Sequence, residues 1–141
     1  MENKKEALDG EAWIKKYYPV EADTLINDSD IECVQHSLNK WRGLTEDVLK
    51  QYGLLTNGYA IQDDSFVFYV DSSSCALCQK YLLQKVRCEG CPVFKQLGKS
   101  CDEGRHSPYQ IFRTDGNPLP MIETLEKTLL SLQHRKEDGK Q

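Results

Sequence analysis

The chain has 141 residues and a net charge of −4, long enough for one domain that buries about two thirds of its unfolded surface. With 39% hydrophobic and 28% charged residues, it contains no apolar run near the ~18 residues that a membrane helix needs. The composition therefore leaves no membrane segment and predicts a soluble globular protein. The start, "MENKKEALDG", is charged and lacks an apolar leader core, so reduced cysteines and a cytoplasmic setting are expected.

In chain order, the first helix is predicted over about residues 4–18, with Leu8, Ala12 and Trp13 apolar. It stops before Pro19, whose ring disfavours a helical residue at Tyr18. A second helix follows "NDSD", where Asp28, Ser29 or Asp30 can cap the free amides of the first turn. Ile31, Val34, Leu38 and Trp41 recur at helical spacing and form its core stripe. Gly43 ends it, Thr45 caps a short helix to about Gln51, and Gly53 sits at a left-handed stop. Asn57-Gly58 marks a turn, and "YAI" and "FVFYV" flank Asp63, Asp64 and Ser65 as a small hairpin. Acidic residues at such a tip are turn formers rather than a cation pair. Pro108 opens a short helix. The last helix starts at Asn117-Pro118, buries Ile122, Leu125, Leu129 and Leu132, shows Glu123, Glu126 and Lys127 to water, and ends near His134. The fold class is α+β, predominantly helical, with one small β-hairpin and a cysteine-rich zinc-binding segment. Residues 1–134 form the domain and 135–141 a frayed tail.

Five of six cysteines lie between Cys75 and Cys101. Cys75 and Cys78 form one CxxC and Cys88 and Cys91 a second, with Cys101 beyond. Paired CxxC motifs suit Zn²⁺, which takes four soft donors at about 2.3 Å, each pair supplying two from one local turn. "CALCQKYLLQKV" has no Gly or Pro and predicts a helix opened by Ser72, Ser73 or Ser74. Unbroken to Val86, it ends about 12 Å past Cys78, which carries Cys88 away and favours Cys75, Cys78, Cys91 and Cys101. A helix broken early admits Cys88 instead. The candidate ligands for one zinc ion are thus four of Cys75, Cys78, Cys88, Cys91 and Cys101.

Iron–sulfur ligation uses the same residue type, and disulfide stapling is a further alternative. His106 is a weaker nitrogen candidate, since the thiols already suffice. His36 and His134 fall on helix surfaces, and Cys33 reads as a small buried hydrophobe. Strand, loop, CxxC and helix also follow the local order of a thioredoxin-like thiol oxidoreductase, with Cys75 as the attacking thiol at a helix start. No strand follows to complete a parallel sheet, and the second CxxC would be surplus. Residues 75–113 carry seven basic and three acidic groups, whereas residues 1–32 carry four and nine. Lys80, Lys85, Arg87, Lys95, Lys99 and Arg105 therefore offer a nucleotide or nucleic-acid surface. The plainer reading is that they offset the charge of a zinc tetrathiolate. The tyrosines and Trp41 read mostly as core, with Tyr17-Tyr18 against Pro19 an alternative binding surface. No phosphate loop, HExxH motif or nucleophile elbow occurs, so an enzyme is not expected unless the thiols are catalytic.

The ordered set "HSLNKWRGL" (His36–Leu44), "CALC" (Cys75–Cys78), "CEGCP" (Cys88–Pro92), Cys101 and "SPY" (Ser107–Tyr109) resembles a group of short cysteine-rich proteins of unknown function from bacteriophages and related bacterial genomes. The likeness spans residues 36–109. It implies the host cytoplasm and an accessory, non-structural role, and it carries over no catalytic residue. The expected function is a non-catalytic, zinc-stabilised protein that binds or inhibits a host protein, such as a defence component, or takes a small ligand.

Overall fold

In the computed structural model, residues 8–81 and 90–138 are described. They form seven α-helices, α1 (Gly10–Tyr17), α2 (Asp30–Arg42), α3 (Glu46–Gln51), α4 (Ala76–Tyr81), α5 (Pro92–Leu97), α6 (Pro108–Asp115) and α7 (Leu119–Asp138). Between α3 and α4 lie strands β1 (Leu55–Thr56), β2 (Ala60–Asp63) and β3 (Phe66–Tyr69). The α+β, mostly helical class holds. The expected hairpin is instead a three-stranded antiparallel meander in the order β1-β2-β3. Asn57 and Gly58 turn the chain between β1 and β2, and Leu55 pairs with Gln62 while Gln62 pairs with Val67.

Local chemistry explains most boundaries. The Asp9 carboxylate accepts from Ala12 N at 3.0 Å and opens α1, which stops at Tyr18, before Pro19. Ser29 and Glu32 form a reciprocal capping box at the start of α2. Gly98 ends α5 in the left-handed region at φ 77°, where a Cβ would be strained. Helix α7 runs four residues beyond the expected end at His134, because the charged segment after it keeps good helix formers. Strand β1, the 3₁₀ turns at Ala22–Leu25 and Ser72–Ser74, and α5 were not expected.

The core forms where α2 packs on α7 and α4. Helix α2 buries Cys33, Val34, Ser37, Leu38, Lys40 and Trp41, and α7 answers with Met121, Ile122 and Leu125, while Leu129 and Leu132 are partly buried. Trp41 meets Phe112 edge-on with ring centroids 5.0 Å apart, an arrangement that places ring edges on a π-face. Trp13 joins α1 to the sheet by packing its ring at a tilt of 52° against Phe68, and its indole N–H donates to Gly43 O at 2.8 Å. On β3, Phe66 and Phe68 point inward while Val67 and Tyr69 are exposed, the period-two alternation of a half-covered sheet. Gly58 is set by a close approach: a Cβ there would come 2.2 Å from the Arg113 carbonyl oxygen, at φ 89°. No described helix is long and apolar enough to cross a membrane.

Candidate functional site

The site is built from two helix starts and a turn. Asp71 caps a 3₁₀ turn over Ser72–Ser74 through its carboxylate, which accepts from Ser73 N at 2.9 Å. That turn delivers Cys75 in extended conformation just before α4. The Cys75 sulfur accepts from Cys78 N at 3.2 Å, taking the place that a serine or aspartate oxygen has at an ordinary N-cap. Cys91 directly precedes α5, whose first residue is Pro92. Cys101 follows Ser100 in the turn after α5, and its carbonyl accepts from Tyr109 N at 3.0 Å. Helix α4 is fixed to α2 by Lys80, which donates to Asp30 at 2.9 Å and to Asp28 O at 2.7 Å, and by Tyr81 O–H, which donates to Asp30 at 2.6 Å.

This packing brings Cys75, Cys78, Cys91 and Cys101 to the wall of one small cavity of about 30 Å³, shared with Ser37, Trp41 and Met121. A second cavity of about 210 Å³ adjoins it, lined by Cys75, Cys78 and Cys101 together with Lys40, Asp71, Asp102 and Tyr109. Cys88 lies outside the described residues, as do Lys85 and Arg87. Among the described residues, no group of three or more His, Cys, Asp and Glu side chains stands at metal-holding positions. Four cysteines nonetheless line one small space, and thiolate sulfur is the soft donor type that zinc takes.

Electrostatics separates the two sulfurs of the first CxxC. The Cys75 thiol is drawn down to about 6, first by the hydrogen bond from the Cys78 thiol, and further by the Lys40 ammonium and the Cys78 N–H, against the upward push of burial. The buried Ser37 hydroxyl makes no well-formed hydrogen bond, yet it lies near enough to favour the Cys75 thiolate. Cys78 is pushed up, chiefly because its proton is held by Cys75. This is the asymmetry of a thiolate–thiol pair.

Lys40 is the residue that sequence reasoning missed. It is 1% exposed, and its ammonium donates to Ser74 O at 2.9 Å and to Ser74 Oγ at 3.2 Å. Burial pushes its pKa down, while Cys75, Cys78, Cys101 and Asp71 act in the opposite sense. The signal was available: Lys40 stands seven residues after Cys33 and three after Ser37, on the inward face of α2.

The remaining candidates do not join the site. Cys33 is buried in α2, donates weakly to Leu25 O, and has its thiol pushed up to about 11 by burial, as an inert packing residue would. His106 and His134 are exposed. Of the basic set, Lys80 is engaged with Asp30, Lys95 lies on α5, and Lys99 and Arg105 lie in the turns that follow. Asp63 accepts from Ser65 N at the β2–β3 turn, and Tyr17 and Tyr18 pack into the core. No family model, curated protein or solved structure matches the chain.

His36 is not on an open surface. Its Nε2–H donates to Val20 O at 2.6 Å, Nδ1 is buried without a partner, and the ring meets Tyr18 edge-on. Burial lowers its pKa below the usual 6.5, with Lys40 acting in the same direction and Glu21 opposing. The folded state therefore keeps the neutral ring, and the unfolded state takes up the extra proton. Stability from this group is full above pH 6.5 and falls as pH drops through that value towards the folded pKa. Urea melts of the chain and of His36→Gln between pH 8 and 5 are expected to diverge, with the steeper acid loss in the chain itself. Parallel curves would rule this out.

Proposed function

We propose that the protein is a non-catalytic binding protein whose cysteine segment is held by one zinc ion on four of Cys75, Cys78, Cys88, Cys91 and Cys101. The observation that carries this reading is the shared wall that Cys75, Cys78, Cys91 and Cys101 give to the cavity of about 30 Å³. In a closed tetrathiolate, zinc has no open position for substrate and acts as a structural clamp. Here the clamp ties the starts of α4 and α5 to the turn at Cys101. The helices outside it are then free to present a surface to a host protein or small ligand. The resemblance to phage-encoded proteins supports a host component, including a defence factor, in the host cytoplasm. Metal analysis of the purified chain is expected to give close to one equivalent of zinc, and less than about half an equivalent of any metal would sink the reading.

A second reading is favoured by one contact in the Cys75–Cys78 pair, the Cys78 N–H donating to the Cys75 sulfur at 3.2 Å at the start of α4, which favours the Cys75 thiolate. That pair is suited to thiol–disulfide exchange. The neighbouring sheet is antiparallel throughout, unlike the parallel sheet behind a thioredoxin-like site. Insulin reduction by the metal-free chain, lost in Cys75→Ser, would support this reading over the first. The nucleic-acid reading has less support, because the Lys80 ammonium is already paired with Asp30.

A further inference from the structure

The geometry points to Lys40 as the built-in counter-charge of the cysteine group, a positioning residue that makes the site select a dianionic metal–thiolate centre. This inference rests on the metal-holding reading above and deepens it. A charged side chain is almost never fully buried without an opposite charge, because leaving water is costly and a neutral partner does not repay it. Lys40 is 1% exposed, and both of its acceptors belong to Ser74, a carbonyl and a hydroxyl, neither charged. Among the described residues, the ion pairs are Arg42 with Glu126 and Lys80 with Asp30, and no carboxylate stands within ion-pair distance of Lys40.

The groups that share the cavity wall with it are Cys75, Cys78 and Cys101, with Asp71 and Asp102. The uncharged partners, Ser74 and the Trp41 ring 5.6 Å from Nζ, compensate an ammonium only in part, and a thiolate on Cys75 alone would add one opposite charge. Four thiolates on a divalent ion carry a net charge of −2, and one ammonium held against them halves it. An ammonium has three N–H donors, and Ser74 takes two. The third N–H is not taken by Ser74, and Nζ lies over the Trp41 ring, 5.6 Å from its centroid, on the cavity wall that Cys75, Cys78 and Cys101 share. The anchoring residue also belongs to the site's own scaffold, since Ser74 immediately precedes Cys75 and its hydroxyl donates to Asp71 O. The lysine on α2 and the cysteine before α4 are therefore locked at one point.

The test compares zinc affinity, by competition with a chromophoric chelator, in the full chain and in Lys40→Met, Lys40→Gln and Lys40→Arg, with folding followed by circular dichroism. One unit charge a few ångströms away in a protein interior changes an equilibrium by about tenfold or more. Folded Met and Gln variants are expected to bind zinc at least about tenfold more weakly, and Lys40→Arg to stay within about threefold. Cobalt(II) substituted for zinc is expected to keep its thiolate charge-transfer band in every folded variant, because the ligands are untouched. Wild-type affinity in either folded neutral variant overturns the inference, as does equal loss in all three. Should both neutral variants fail to fold while the arginine variant folds, the charge is required, as inferred. Failure of all three to fold assigns Lys40 to shape instead and overturns it. A wild-type chain that takes up no metal overturns the metal reading itself and this inference with it, whereas a metal-loaded wild type with an equally tight Met variant overturns this inference alone.

Discussion

Exhaustive chelation at neutral pH is expected to unfold much of the chain, with the thermal midpoint restored when zinc is returned. The size of the effect follows from comparing two quantities. Structural zinc in small domains contributes an apparent ~10–16 kcal/mol, whereas the net stability of a domain is only about 5–15 kcal/mol. The segment it would clamp also packs on α2 and α7 through Ala76, Leu77 and Val93, but its helices add little stability of their own. Helix α5 has six residues, and an isolated helix needs about 12–15 to be even marginal in water. The α2–α7 pair has its own apolar contact, so residual helical signal should survive from those elements. The measurement is far-ultraviolet circular dichroism against temperature, with and without chelator, in a strong thiol reductant so that disulfides do not stand in for metal. An unchanged midpoint would remove the clamp from the account of this fold.

Trp13→Ala is expected to cost about 3–5 kcal/mol, the usual loss for truncating a buried large aromatic side chain. Trp13 is 0% exposed and its ring lies between those of Tyr17 and Phe68, at 5.7 and 5.0 Å. Its indole N–H is also the partner of the Gly43 carbonyl, which would be left buried and unsatisfied, a further ~1 kcal/mol or more. The residue sits where α1, the end of α2 and β3 meet, so no single neighbour can collapse into the space. Trp13→Phe keeps part of the ring packing and loses the hydrogen bond, and is expected to cost roughly half as much. Urea unfolding at pH 7 reads both. A loss under about 1.5 kcal/mol for the alanine variant would mean that the site relaxes and that α1 is peripheral.

Elements with strong local signals were legible before any coordinates. A cap among Asp28, Ser29 and Asp30 and the stripe Val34, Leu38 and Trp41 locate α2, and Ile122 and Leu125 locate α7, because capping and helical periodicity act within a few residues. Strand β1 was not legible, since two residues carry no periodicity and the strand exists only through pairing with β2. Helix α5 was missed although Cys91-Pro92 offers the same opening as Ser107-Pro108. Its six residues hide within a segment whose cysteines dominate the pattern. His36 was read as a surface residue because its ring leaves the α2 stripe, and only the return of the chain at Val20 covers it.

The candidate site divides along the same line. Residue order by itself determined that five thiols lie within one short segment and that Cys75 and Cys78 share a helix start, since both facts depend on neighbours along the chain. Packing decided that Cys91 and Cys101 face the same cavity as that pair, and that Lys40, 34 residues before Ser74, ends there too. A helical repeat can say which face a lysine occupies. Only the element that arrives opposite that face determines whether the charge meets water or sulfur.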